Sequence, residues 1–161
     1  MTLLRKFNAG LISALMLAQL LLTGCAGVSP DPVSDGNRFA TRANEAVFWS
    51  GRTNGIGGME VAGQIAAASG GTTLEQLLEK RKIAMPVWDA ANPAVVQAWK
   101  DASLGFAQGA RGELKAVIGQ TLRPGSVWET TELPALKGNP QVRKITVIDP
   151  ASRAERVIFE R

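Results

Sequence analysis

Carboxylates, hydroxyls and indoles are the groups through which this chain can act on a substrate. It has no histidine and a single cysteine in 161 residues. A Ser-His-Asp or Cys-His hydrolase is therefore excluded, as are the usual imidazole metal sites. One cysteine also leaves no intrachain disulfide, no Cys-rich zinc site and no C-x-x-C redox pair. Among the acids, Glu132 stands out because Trp128 precedes it by four residues. Read as a strand, residues 126–133 send Trp128, Thr130 and Glu132 to one face and Val127, Glu129, Thr131 and Leu133 to the other. That puts a carboxylate and an indole into one cleft; a solvated sheet face with one exposed Trp explains the same pattern. Trp49 beside Ser50, and Trp99 four residues before Ser103, repeat the pairing of indole with hydroxyl. Either Trp also suits a core, and Ser103 also suits a close helix contact. Glu75 has a local explanation as the last residue of Thr72-Thr73-Leu74-Glu75, an S/T-x-x-E capping box.

These residues need elements to hold them. The spacing predicts a helix over 38–49 and a glycine-rich loop over 51–58. The loop lacks the Gly-Lys-Ser/Thr ending of a phosphate loop and serves better as a lip beside a site. A small-residue helix over 59–69 ends at Gly70-Gly71. The capping box opens a helix through Arg81, whose Lys80-Arg81-Lys82 run suits a solvated C-terminus. Asn92 as N-cap and Pro93 at the first helical position start another, with Val96, Trp99, Ser103, Phe106 and Ala110 on one face. After Gly112 the period shortens. Residues 114–118, 127–133, 145–148 and 157–159 are β-prone runs bounded by Gly, Pro and Asn. The expectation is an α+β domain, its helix-rich N-terminal half packed on a roughly four-stranded sheet from the C-terminal half.

Residues 1–24 read as an address. Arg5 and Lys6 precede an apolar run to Leu22 that is shorter than the ~20 residues of a spanning helix. The run closes in Leu22-Thr23-Gly24-Cys25, which resembles a bacterial lipobox, with Cys25 as the acylated residue. Residues 25–37, rich in Pro, Gly, Ser and Asp, read as a tether, leaving 38–161 as the domain. Without Arg5 and Lys6, sixteen basic residues face fourteen acidic ones. That mixed surface has no stripe for tracking a nucleic acid. The expected place is a bacterial cell envelope, and Ala26 after Cys25 favours the outer membrane.

Over residues 47–149 the chain resembles the ADP-ribosyl cyclase/NAD glycohydrolase family. Val47-Phe48-Trp49-Ser50 resembles its aliphatic-aliphatic-Trp-Ser segment, and Thr73-Leu74-Glu75 its Thr-Leu-Glu helix start. Asn92-Pro93 followed by Trp99-Lys100-Asp101-Ala102-Ser103-Leu104-Gly105-Phe106-Ala107 resembles its Asn-Pro and Trp-Lys-x-x-Ser-x-x-Phe-Ala helix. Trp128 to Leu136 resembles an aromatic-x-x-x-Glu strand, and Val142 to Ile148 the strand after it. The resemblance implies Glu132 as catalytic glutamate and Trp49 and Trp99 as aromatic walls. It implies Glu75 as the acid that contacts the nicotinamide carboxamide and biases cyclisation against hydrolysis. Ser50 and Ser103 match phosphate- or ribose-contacting positions, and Trp128 an aromatic near the phosphates. The family's Arg after Trp-Ser is Gly51 here, with Arg52 one place later. A further acid of the animal enzymes is absent around Ala84, and the family's disulfides are missing.

The implied activity is hydrolysis of NAD to nicotinamide and ADP-ribose, with cyclisation a minor outcome. NAD is the substrate, and neither a metal nor another cofactor is required. The chemistry suits the composition: neutral nicotinamide leaves a cationic pyridinium without a general acid, and one carboxylate stabilises the oxocarbenium-like ribosyl centre. Indoles suit the flat cation. A surface lipoprotein that only binds a nucleotide or a protein partner, and a toxin-like NAD-cleaving effector, are the alternatives.

Overall fold

The computed structural model describes residues 37–161. The address, Cys25 and nearly all of the tether lie outside the described residues. Among those described, no helix is long and apolar enough to cross a membrane. The elements run β1 (Val47–Ser50), β2 (Arg52–Thr53), β3 (Ile56–Gly57), α1 (Gly58–Ser69), α2 (Leu74–Arg81), α3 (Pro93–Gly109) and β4 (Gly112–Ile118). A π-helix (Trp128–Glu132), α4 (Leu133–Gly138), β5 (Val142–Ile148) and β6 (Glu155–Glu160) complete the chain. The fold is α+β, around a mixed sheet ordered β1-β4-β5-β6. β1 and β5 flank β4 in parallel, and β6 returns antiparallel along β5.

Helices cover both faces of this sheet, and period-two alternation divides the strand residues between them. Val47, Val117 and Ile148 face α1, meeting Val61, Ala62 and Ala66. Phe48, Leu114, Ala116 and Ile145 face the other way, into a larger core with Leu74, Leu77, Phe106, Trp128 and Leu136. α1 lies close on its face because it brings small residues: a Cβ on Gly58 would sit 2.9 Å from the Val117 carbonyl oxygen.

Five expectations are corrected. Residues 38–46 form no helix, and one of the four sheet strands, β1, comes from the first half of the chain. Asn44, at φ 62°, accepts the Glu113 amide on its Oδ1 while its own amide donates to the Arg111 carbonyl. These bonds, one through the Asn44 side chain and one through its backbone amide, compete with a helix and tie the lead segment to β4. Residues 51–58 are not a plain loop: β2 and β3 pair across Asn54-Gly55, both at positive φ, as a two-residue hairpin turn demands.

The capping box starts one residue later than expected. Thr73, not Thr72, accepts the Gln76 amide, and the Gln76 side chain accepts from the Thr73 amide. Residues 127–133, finally, are helical and not a strand. Their β-prone Val and Thr residues are overruled by packing of the π-helix and α4 against α3. The cationic run after α2 is also only partly solvated, because Arg81 donates to the carbonyls of Arg38 and Ala40.

Both ends of α3 are satisfied. Asn92 Oδ1 accepts the amides of Ala94 and Val95 at the start of α3. At the other end Asn139 Nδ2 donates to the carbonyls of Ala107, Gln108 and Ala110. The Ala107 carbonyl also takes the Ala110 amide, and the buried Asn139 amide serves the carbonyls left at the end of α3.

Candidate active site

Glu132 reaches the centre of the molecule through the π-helix. There the Leu133 amide bonds back five residues to the Trp128 carbonyl, and Trp128 and Glu132 share the inward face at 4% and 7% exposure. Helical i,i+4 spacing thus joins the two residues that strand alternation was expected to join. The Glu132 carboxyl is pushed up to about 8, chiefly because burial penalises its charged form; a Ser103 hydrogen bond opposes this and the nearby negative charge of Glu75 adds to it. Ser103 lies on the buried face of α3.

The shifted cap releases Glu75. With Gln76 doing the capping, the Glu75 carboxylate takes the Trp49 indole N–H on both oxygens, at 3.2 and 3.1 Å. β1 supplies the indole and the first turn of α2 the carboxylate. Trp99 is fixed by its own N–H, which donates to the Pro86 carbonyl at 3.0 Å. Trp128 packs on Phe48, and Phe48 on Phe106, with centroids 6.1 and 4.8 Å apart.

Between these side chains lies a cavity of about 540 Å³, a size that suits a nucleotide-sized ligand. All eight residues singled out in the sequence as substrate-contacting or catalytic line it: Trp49, Ser50, Arg52, Glu75, Trp99, Ser103, Trp128 and Glu132. Gly51 follows Ser50 at φ 70°, and a Cβ there would sit 2.6 Å from the Thr121 carbonyl oxygen. No arginine fits at that position, and Arg52 reaches the cavity from the next one.

Sequence reasoning missed the rest of the wall. Trp88 enters from the α2–α3 connection, and Thr121, Leu122, Arg123 and Ser126 from the segment after β4. None has a periodicity to betray it; the only signal was a fourth tryptophan with no place on a helix face. Among the described residues, no group of three or more His, Cys, Asp or Glu is placed to hold a metal ion. Chemically, the cavity combines two acids, flat π surfaces and two arginines.

No family model and no curated protein matches the sequence. Solved structures do match in fold. A crystal structure of the Aplysia cyclase with substrate NGD and product cGDPR aligns with a TM-score of 0.50 at 22% identity, over 67% of this chain and 49% of that one. An ADP-ribosyl cyclase complexed with N1-cIDPR aligns at 0.51 and 24%, over 74% of this chain and 55% of that one. A glutamate-to-alanine mutant of ADP-ribosyl cyclase gives 0.50 and 24% over the same shares. The fold is that of the ADP-ribosyl cyclases. The chain spans about half the length of the solved structures it matches.

Proposed function

We propose that this protein is an NAD glycohydrolase, cleaving the nicotinamide–ribose bond of NAD to nicotinamide and ADP-ribose, with cyclisation a minor outcome. The observation that carries the reading is a buried carboxyl, Glu132, lining an aromatic cavity in a fold shared with cyclases. The pyridinium of NAD stacks between Trp49 and Trp99, and Glu75 accepts a hydrogen bond from its carboxamide. Burial holds the Glu132 pKa at about 8, which favours its protonated form at pH 7. Arrival of a cationic pyridinium favours the ionised form. The resulting carboxylate faces the anomeric carbon as the C–N bond opens, stabilising the cation that develops there. Nicotinamide leaves neutral with the bonding electron pair, and water completes hydrolysis. Ser50, Ser103, Arg52 and Trp128 hold the ribose and phosphates.

The lipobox supports a lipoprotein of the bacterial cell envelope, anchored through Cys25, with the outer membrane favoured by Ala26. Palmitate labelling that survives Cys25→Ser would rule the anchor out. The activity is tested by nicotinamide release from NAD, wild type against Glu132→Gln. A loss of about a thousandfold is expected. Undiminished release in the variant, or none from a folded wild type, rejects the assignment.

A further inference from the structure

The cavity carries its buried acid at the floor and its arginines at the rim. Its buried lining residues include Glu132, Ser103 and Trp128, whereas Arg52, Trp88 and Arg123 are exposed to solvent. Trp88 is 43% exposed and is the one tryptophan of the four that joins neither hydrophobic cluster. Burial therefore does not account for it. Its backbone is nevertheless held on both sides: the Trp99 indole bonds the Pro86 carbonyl, and the Asn92 amide bonds the Asp89 carbonyl.

Arg123 is fixed in the same way. Residues 123–126 form a turn closed by the Ser126 amide on the Arg123 carbonyl, with Pro124 second and Gly125 third at φ 68°, the residue order a type II turn requires. Its guanidinium lies over the Trp88 ring, 5.8 Å from the centroid. The backbones of Arg52 and Thr121 exchange hydrogen bonds in both directions, which sets Arg52 beside the segment that carries Arg123. The only ion pair among the described residues is Arg42–Glu45, so neither rim arginine is neutralised by a described carboxylate.

A cation-accepting floor, two guanidiniums and an outer indole match a ligand with a cationic ring, a pyrophosphate and a second flat base. We infer that Arg123 binds the phosphate farther from the nicotinamide, with Trp88 as the platform for the second base, and that this pair makes the site select dinucleotides over mononucleotides. The inference rests on the NAD-cleaving reading above. Phosphate on a planar guanidinium forms charge-assisted bonds that a point charge reproduces only in part, and base–indole stacking adds to them.

The test compares kcat and KM for NAD and nicotinamide mononucleotide in wild type, Arg123→Ala, Arg123→Lys and Trp88→Ala. Calorimetry with ADP-ribose and with ribose 5-phosphate gives a readout that needs no turnover. Arg123→Ala should raise KM for NAD about ten- to a hundredfold, with the loss in KM and little in kcat. The NAD-to-mononucleotide ratio of kcat/KM should collapse accordingly, Arg123→Lys recovering part of it. ADP-ribose should bind correspondingly weaker to Arg123→Ala and to Trp88→Ala. An unchanged ratio and unchanged ADP-ribose affinity in Arg123→Ala, with NAD still cleaved, overturn the inference alone. A wild type that binds ADP-ribose normally yet releases no nicotinamide removes the activity and leaves the rim assignment to the affinities. A wild type that neither binds ADP-ribose nor cleaves NAD overturns both.

Discussion

The two faces of the sheet are built on opposite principles. Against α1 the strands meet glycine, alanine and valine, and the layers close to backbone contact. Against α2, α3 and the π-helix, Phe48 of β1 meets Phe106 and Trp128, side chains whose bulk holds the layers apart around a cavity of about 540 Å³. The first arrangement gains dispersion energy from dense packing. The second gives up part of that density to keep a carboxylate out of water. Stability and chemistry are thus separated by one thickness of sheet, and the contrast says which substitutions should harm which property.

The largest effect belongs to the cavity face. Beyond its loss of activity, Glu132→Gln should make the protein more stable in mild alkali. The folded pKa of about 8 lies above the ordinary 4.5, so this carboxyl's contribution is fully present below pH 4.5 and is lost as pH rises through 8. By calorimetry at pH 9, the variant should melt about 5 °C above wild type. A lower melting temperature breaks the claim that the acid is held at a cost. On the α1 face, Ala66→Leu overfills a closed contact and should cost about 1–3 kcal/mol in a urea melt. A neutral result there would mean that the face is looser than its contacts imply.

A smaller effect concerns pH. With an ionised Glu132 required, kcat/KM should rise with pH and level off above about 8, the value in the free protein. In Glu75→Gln the midpoint should move down, because the charge of Glu75 helps to raise it. An upward movement contradicts that coupling. Smallest of all, Trp49→Phe keeps an aromatic wall but deletes the N–H that holds both Glu75 oxygens. Chromatography of products from NAD should show the cyclic share rising by about two- to fivefold, the scale of one ordinary hydrogen bond.

Much of this was legible in the sequence where the signal is local. Asn92-Pro93 and Gly70 mark helix ends through side-chain oxygens and a left-handed backbone, and both ends fall there. The β-prone runs at 114–118, 145–148 and 157–159 all lie in strands, where β-branched and other apolar side chains suit a pleated sheet surface. Residues 127–133 were misread because the Trp128–Glu132 spacing satisfies strand and helix alike; only packing against α3 decides. The lead segment was misread because two asparagine side chains replace helical hydrogen bonds with contacts to residues far along the chain. The eight residues that share the cavity were found from motif order, which carries no geometry. Trp88 and Arg123 were invisible because they sit on connections whose shape depends on what they span.

The π-helix has a consequence for how this protein tolerates length changes. Removing one residue between Trp128 and Glu132 would let that turn relax to ordinary α-helix, locally the easier backbone. It would also rotate whatever follows by about 100° about the helix axis. Either Trp128 leaves the aromatic wall, or α4 is dragged from the place where Leu136 and Asn139 fasten it to α3. The surplus residue acts as a phase setting between carboxylate and indole. A one-codon deletion at Thr130 or Thr131, neither of them in the core, should therefore silence the protein as thoroughly as removing the acid itself.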